Sequence, residues 1–161
     1  TKAAGLEKRW GDVSVFASYA YNRARYNDFK VVTVVNNALS ETNYKSKHVE
    51  YAPENILRAG LTYGYKSFST AIQYSYTDHL FTDANNTIDA TANGQNGLIP
   101  SYGILDLTMG YRHKSGISLK GGVNNLSDKN YFTRRSGGYP GPGVLPADGR
   151  TVFITIGYKM K

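Results

Sequence analysis

The chain has 161 residues and a net charge of +7, from 19 Lys and Arg against 12 Asp and Glu. Aromatic residues make up 13% of it, and 14 residues are Tyr, which excludes a disordered chain. The absence of Cys excludes disulfides, Cys-ligated metal sites and thiol catalysis. No apolar run approaches the roughly 20 residues of a membrane-spanning helix. The size predicts one domain, and the start at Thr1, without Met or a signal peptide, predicts a processed product or a piece of a longer chain.

Six segments alternate apolar and other residues, a pattern typical of β-strands that have one apolar face. Phe16 and Ala20 are exceptions, because they fall on the otherwise polar face of the first segment. A further, partial strand is predicted at Thr1–Arg9. In chain order, the apolar positions of the six segments begin at Val13, Leu57, Phe68, Leu105, Ile117 and Val152.

The connections between these segments alternate in length. Short turns at 10–12, 66–67 and 113–116 alternate with long loops at about 26–53, 82–99 and 125–149. This alternation predicts an all-β fold, an antiparallel up-and-down meander with every long loop at the same end. Outer-membrane β-barrels have this arrangement, and strands of about 10–13 residues match a tilted membrane crossing.

Tyrosines of the apolar face lie near the predicted strand ends, where an amphipathic ring suits the boundary between hydrocarbon and headgroups. Alternation alone does not decide which face is inside. The alternative is a free-standing small β-barrel or soluble β binding module that holds an apolar ligand, with the charged side chains of the other face in solvent. The tyrosines concerned are Tyr63, Tyr65, Tyr74, Tyr76, Tyr111 and Tyr158.

Residues 122–132, Gly-Val-Asn-Asn-Leu-Ser-Asp-Lys-Asn-Tyr-Phe, resemble the Val-Asn-Asn-Leu-Phe-Asp-Lys-x-Tyr motif near the C terminus of TonB-dependent outer-membrane transporters. Residues 5–7, 51–54 and 99–107 resemble strand starts of the same family, and they occur in the family's order. The segment 132–150 is similar to the last extracellular loop of a ferric-dicitrate-like subgroup.

The resemblance implies part of a transmembrane β-barrel, with about seven strands of a parent that has 22 strands around an N-terminal plug. Residues 1–161 are then the C-terminal segment of the receptor barrel, without the plug. The implied function is bacterial outer-membrane import of a ferric chelate, ferric citrate or a siderophore, with TonB energy coupling through the parent's plug. The implied partners are outer-membrane lipid, lipopolysaccharide, the ferric chelate and TonB, and no cofactor is expected.

Two groups of candidate residues follow. Arg134 and Arg135 offer forked donors for carboxylates, and Tyr139 offers a ring and a hydroxyl group in the same loop. His79, at the loop end of a strand, is a further candidate for cargo contact. On the polar face, Arg58, Arg112 and Lys120 are expected to face the barrel lumen.

Other functions find little support in the sequence. It has no His-Glu-x-x-His, Gly-x-Ser-x-Gly or phosphate-binding motif, so no enzyme activity and no catalytic residue are expected. His48, His79 and His113 lack ligand spacing, so no metal site is expected. Lys and Arg are spread over many strands, so no role in nucleic-acid binding is expected.

Overall fold

A computed structural model describes residues 11–139 and 141–160 of the chain. The described residues form an all-β structure of ten strands. Among them, no helix is long and apolar enough to cross a membrane. The strands are β1 (Asp12–Tyr21), β2 (Lys30–Val35), β3 (Ala38–Asn43), β4 (Asn55–Tyr65), β5 (Phe68–Thr77), β6 (Tyr102–Arg112), β7 (Ile117–Asn124), β8 (Phe132–Ser136), β9 (Gly143–Pro146) and β10 (Thr151–Tyr158).

Six of these strands form one antiparallel sheet in the order β1-β4-β5-β6-β7-β10. All six segments that alternate in the sequence are therefore strands of this sheet, and the predicted meander is confirmed. The sheet is open, because β1 and β10 are its edges within the described part of the chain. The further strand predicted at Thr1–Arg9 lies outside the described residues.

Two details differ from the sequence-based expectation. β7 and β10 have eight residues each, shorter than the expected 10–13. Two of the long loops contain a β-hairpin of their own: β2–β3 within 26–53 and β8–β9 within 125–149. The first hairpin forms because a β-branched run, Val31–Val35, precedes Asn36 and Asn37, which turn the chain with φ of 48° and 61°.

The strand register aligns the apolar positions of all six strands. Its central row crosses the sheet from edge to edge through Val15, Leu61, Ile72, Leu107, Val123 and Val152. Because side chains alternate along a strand, the same register gathers the polar positions on the opposite face. Phe16, an apolar exception there, lies over Gly60, where a Cβ would clash with its ring.

The apolar face is open rather than packed. Val152, Ile154 and Ile156 are 71%, 77% and 74% exposed. The only buried hydrophobic side chains in the described part of the chain are Leu80, Ile99 and Ile104. Leu80 and Ile99 pair through an isolated β-bridge beyond the strand ends, so they lie at the long-loop end.

Aromatic side chains border the apolar face at both ends. At the loop end, Tyr19 and Tyr76 flank Leu57, and at the turn end, Phe68 lies between Tyr65 and Tyr111. The eight residue steps from Leu57 to Tyr65 span roughly 26 Å along β4, or about 20 Å of height at a strand tilt near 40°. This height approaches the apolar band of about 25 Å that transmembrane barrels present to lipid.

A pair of matched substitutions tests which face meets lipid. Ile72→Arg places a charge in the middle of the apolar face and is expected to destabilise the vesicle-inserted protein by about 2–4 kcal/mol. Gln73→Arg, one residue further on the polar face, is expected to cost less than about 1 kcal/mol. Denaturant unfolding from vesicles measures both. Equal losses, or a greater loss at Gln73, would contradict a lipid-facing apolar side.

Candidate functional site: three linked loops

Three connections meet at the long-loop end of the sheet. They are loop A (22–54), which contains β2–β3, loop B (78–101), and loop C (125–150), which contains β8–β9. Hydrogen bonds join each loop to the other two. The predicted ligand residues His79, Arg134, Arg135 and Tyr139 all belong to loops B and C.

Asn86 fastens loop B to loop A. Its Oδ1 accepts a hydrogen bond from the His48 amide at 2.6 Å, and its Nδ2 donates to the His48 carbonyl at 2.9 Å. Asp83 shapes the preceding turn by accepting a bond from the Thr87 amide, and Asn86 itself has a φ of 56°. A left-handed turn residue with an amide side chain can thus hold both main-chain groups of one residue.

Arg135 fastens loop C to loop B. Its two terminal nitrogens donate to the Gly94 carbonyl at 3.0 Å and the Leu98 carbonyl at 3.3 Å, and its guanidinium lies 5.1 Å from the Phe132 ring centroid. The Arg135 carbonyl in turn accepts a bond from the Tyr51 hydroxyl of loop A. The buried Nε of Arg135 has no partner in the described structure. The Arg135 guanidinium therefore links the loops.

Each further side-chain bond between loops also ends on a main-chain carbonyl. Lys47 Nζ donates to the Asn85 carbonyl at 2.8 Å, and Gln95 Nε2 donates to the Gly137 carbonyl at 3.2 Å. Tyr51 and Phe81 add a bond between main-chain atoms. The three loops therefore form one connected layer at the end of the sheet.

Asn125, in the Val-Asn-Asn-Leu motif, organises the base of loop C. Its side chain is buried; Oδ1 accepts from the Lys129 amide at 2.8 Å, and Nδ2 donates to the carbonyls of Lys129 and Asp148. Its own amide donates to the Asp106 carboxylate on β6 at 2.8 Å. Asn125 thus joins both ends of loop C to the sheet, and Arg150 closes the base further by binding the Asp128 carboxylate.

The predicted ligand residues lie in different surroundings. Arg134 is exposed and has no hydrogen-bond or ion-pair partner among residues 11–139 and 141–160, and Tyr139 is 98% exposed. Arg134 and Arg135 alternate along β8 and therefore point to opposite sides. The His79 ring lies 2.9 Å from Asp78 Oδ1 and edge-on to Phe81. The described contacts do not bring these four side chains together into one cluster.

The predicted lumen-facing residues all lie on the polar face of the sheet, as their register shows. Arg58 lines a cavity of about 330 Å³ below loop C, together with Asp106 and Tyr131. Arg112 and Lys120 line a different cavity at the turn end. In the described part of the chain, no group of three or more His, Asp and Glu could hold a metal ion.

Asp78 holds a polar network at the loop end of the apolar face. Asn55 Nδ2 donates to Asp78 at 2.6 Å, and Asn55 in turn accepts a bond from the Tyr19 hydroxyl. Burial acts to raise the pKa of Asp78, but hydrogen bonds from Asn55 and from the His79 amide and ring lower it overall. The network ties a tyrosine of the aromatic border to loop B.

His48 is a titratable group at the junction of loops A and B. Its ring packs 5.1 Å from the Phe81 ring, and its Nδ1 lies 3.6 Å from Glu54 Oε1. Burial, followed by the Arg25 guanidinium, lowers the pKa of His48, and Glu54 only partly opposes the shift. Neutral His48 therefore suits this junction.

Nearby in loop A, the hydrogen bond from Tyr26 to Glu50 raises the pKa of Tyr26 to about 12.

Sequence reasoning missed the residues that hold the loops together. Asn86, Asn125 and Asp78 were not candidates, although Asn125 lies in the motif that carried the family resemblance. A positive φ at Asn86 and Asn125 fits the known preference of Asn for left-handed turns, which was the available signal.

Adjacent asparagines give a matched test of the base of loop C. Asn125→Ala leaves the amide and carbonyl of Lys129 without their partner and is expected to cost about 1–3 kcal/mol of unfolding free energy. Asn124→Ala removes one exposed bond to Thr151 and is expected to cost less than about 0.5 kcal/mol. Urea unfolding in micelles measures both, and equal costs would contradict a special role for Asn125.

A second test uses the pH dependence of the junction between loops A and B. Because the folded-state pKa of His48 lies below its unfolded value near 6.5, its contribution is complete above about pH 6.5 and is lost as the pH falls through the folded value. Spin labels on Lys45→Cys and Asp89→Cys, in a chain without native Cys, should report loosening at about pH 5. His48→Gln should abolish this response, and His113→Gln, in a short turn, should leave it unchanged.

Comparison with known proteins agrees with this architecture. The family model described as TonB dependent receptor-like, beta-barrel matches residues 3–126, about three quarters of the chain. The siderophore receptor PiuA from Acinetobacter baumannii is similar in structure, with a TM-score of 0.72, 20% identity and coverage of 91% of this chain and 19% of that chain. The ferric citrate transporter FecA in the unliganded form is also similar, with a TM-score of 0.68, 22% identity and coverage of 88% of this chain and 20% of that chain.

The copper transporter OprC is also similar, with a TM-score of 0.59, 20% identity and coverage of 92% of this chain and 21% of that chain. At these identities the likeness shows the fold, and the chain spans about a fifth of the length of these proteins. The predicted family and the outer-membrane location of that family are confirmed, and TonB-dependent receptors are transporters, not enzymes. The chain belongs to the TonB-dependent receptor-like β-barrel family.

Proposed function

We propose that the chain is a barrel-wall and extracellular-loop segment of an outer-membrane active transporter that imports a ferric chelate. One observation carries the proposal: a sheet with an exposed apolar face and a polar reverse face is joined, at one end, to three long loops fastened together. Such a sheet separates lipid from an aqueous lumen, and the fastened loops form part of the entrance.

The lipid-facing role is supported by the exposure of the apolar face, which no other element of the described structure covers. A small barrel or soluble module that holds an apolar ligand needs this face inside, yet the sheet is open and Ile154 is 77% exposed. We propose acyl chains as the partner of this face. Lipopolysaccharide of the outer leaflet is the proposed partner at its loop end, where Tyr19 and Tyr76 border it.

The cargo contact is assigned to Arg134 rather than Arg135. The Arg135 guanidinium already binds the Gly94 and Leu98 carbonyls, whereas Arg134 is exposed and unpaired in the described structure. A free guanidinium suits the carboxylates of ferric citrate or of a carboxylate siderophore. Tyr139 and the exposed ring of His79 are further contacts that a bound chelate could reach from the same end.

The choice of a ferric chelate is also supported by two of the similar structures, those of a siderophore receptor and a ferric citrate transporter. A third is that of a copper transporter, so copper is the natural competitor in a test. TonB coupling is proposed to act through a plug in the rest of the transporter, because this segment supplies wall and entrance.

Uptake by cells that produce the whole transporter tests this assignment. Arg134→Gln is expected to lower uptake of radiolabelled ferric citrate on the order of tenfold at limiting concentration, because one charge-assisted contact of about 1.4 kcal/mol is lost. Lys45→Gln removes the same charge from an exposed position of loop A and serves as the control.

Deleting TonB is expected to abolish uptake. Uptake that persists without TonB would refute the coupling. Copper uptake without any ferric citrate uptake would refute the cargo. Unchanged uptake by Arg134→Gln would refute the role of Arg134.

A further inference from the structure

A groove lies in the apolar face, in the half nearer the short turns. Its volume is about 490 Å³, and it extends from Tyr63 on β4 to Ile154 on β10. Its floor includes two small residues, Thr70 and Gly121, which lie in one cross-strand row on either side of Met109. A Cβ on Gly121 would make only ordinary contacts, at 3.4 Å or more, so the space above it is open. We call this groove the apolar groove.

Large side chains surround the apolar groove. Phe68 and Tyr111 pack against each other on the side of the turns, with ring centroids 4.8 Å apart. Met109, between the two floor residues, is 59% exposed, and an unbranched thioether adapts its shape to a flexible neighbour. An elongated, flexible hydrocarbon chain therefore fits this surface better than a rigid ring system does.

Exposed cations lie just beyond the apolar groove, in and beside the short turns. Lys66 is in the β4–β5 turn, and its Nζ lies 4.9 Å from the ring centroid of Tyr65, a residue of the apolar face. Lys114 is in the β6–β7 turn, and Lys159 follows β10 at the same end. Within the described part of the chain none of the three lysines forms an ion pair, and Asp12 is the one carboxylate at this end of the sheet. The turn end therefore attracts anions.

The apolar groove and the turn lysines are spaced like the chain and the headgroup of one lipid. The four residue steps from Thr70 to Lys66 correspond to roughly 13 Å along a strand, or about 10 Å of height at a tilt near 40°. The β4–β5 and β6–β7 turns lie about two strand spacings apart, roughly 10 Å. One headgroup between these turns is therefore within reach of both flexible side chains, Lys66 and Lys114, while a chain attached to it passes over the groove.

We propose that the apolar groove and the turn lysines form a binding site for one anionic phospholipid of the periplasmic leaflet. Its acyl chain lies over Thr70 and Gly121, and its phosphate lies between Lys66 and Lys114. The proposal rests on the proposed function, because it takes the apolar face as lipid-facing and the short turns as the periplasmic end.

The two parts of this site act differently. The lysines select the anionic headgroup, because clustered cations beside the hydrocarbon boundary attract anionic lipids. The apolar groove determines position more than affinity, because the neighbouring acyl chains are as apolar as the protein surface. Lipopolysaccharide is proposed for the opposite end of the same face, so the two kinds of lipid do not compete for this site.

Photo-crosslinking of the whole transporter in phosphatidylethanolamine vesicles tests the proposal. Two probes carry the same diazirine-bearing acyl chain, one on phosphatidylglycerol and one on phosphatidylethanolamine, and mass spectrometry locates the label. The phosphatidylglycerol probe is expected to label the peptides around Thr70 and Gly121 on the order of twentyfold more, about fivefold for each lysine. Lys66→Gln with Lys114→Gln is expected to remove most of this preference. Arg23→Gln with Lys45→Gln removes the same charge from exposed positions of loop A and is expected to change the preference less than about twofold, because screening limits its reach.

A second pair of variants tests the apolar groove itself. Gly121→Leu fills the groove and is expected to lower labelling at Thr70 at least about threefold, because the displaced chain loses its contacts there, while the headgroup preference remains. Ala17→Leu adds the same side chain to the apolar face nearer the loops and should leave the labelling unchanged. Lys66→Arg with Lys114→Arg keeps both charges and should retain the preference, which separates lost charge from misfolding.

The outcomes distinguish this proposal from the proposed function. Equal labelling by the two probes, equal effects of the two Gln pairs, or label spread evenly over the apolar face would overturn the lipid site and leave the face in lipid. Label at Ile72 and Leu107 but none at the apolar groove would assign the groove to another occupant, such as a second copy of the chain, and would also overturn the site. Absence of label from the entire apolar face would refute its lipid-facing role as well.

Discussion

The structure depends on the agreement between side-chain alternation and strand register. Six strands place their apolar residues in common rows, such as the row from Val15 to Val152, and this gives the sheet two chemically opposite faces. A slip of one residue in any pair would move that strand's apolar set to the polar face, where it would meet Arg58, Asp106 or Lys120. The opposite chemistry of the two faces therefore fixes the register more strongly than the backbone hydrogen bonds, which a slipped ladder could also make. The placement of the loops follows, because short turns at one end leave every long connection at the other.

Polar contacts stabilise the loop end, whereas the segregation of apolar and polar side chains to opposite faces stabilises the sheet. Leu80 and Ile99 provide a small apolar centre there, and hydrogen bonds from Asn86, Arg135 and Asn125 complete the assembly. This division explains why two adjacent arginines differ so much. Arg135 enters loop B and binds carbonyls, whereas Arg134, one position earlier on the same short strand, is exposed and has no partner within the described part of the chain. The side of the strand on which a position lies, more than its residue type, decides here whether an arginine binds the neighbouring loop or stays at the surface.

The sequence alone predicts the sheet well because its signal is local and repeated. Alternation from Leu57 to Tyr65, a two-residue turn, and alternation again from Phe68 are sufficient to predict β4–β5 and its register. The hairpin β2–β3 also has a local signal, Val31–Val35 followed by two asparagines, but β2 is almost continuously apolar and the second half of β3 is continuously polar, so neither strand alternates. The loop contacts cannot be predicted in the same way, because Arg135 and its acceptor Gly94 are 41 positions apart. Which carbonyl a guanidinium reaches depends on how three loops fold over one another. The periodicity of the sequence carries no information about this packing.

The acceptors used between the loops have a consequence for how this end of the protein can change. Asn86, Arg135, Tyr51, Lys47 and Gln95 all bind main-chain groups of the neighbouring loop, never its side chains. Every residue type presents the same carbonyl, and every type except proline presents the same N–H. Substitutions at the receiving positions therefore leave the attachment intact as long as the local backbone is kept and proline is avoided at position 48. The side chains on the outer surface of these loops could therefore change during evolution, one residue at a time, while the hydrogen bonds between the loops stay the same. A family that binds different molecules with one scaffold would benefit from loops joined by side-chain to main-chain hydrogen bonds.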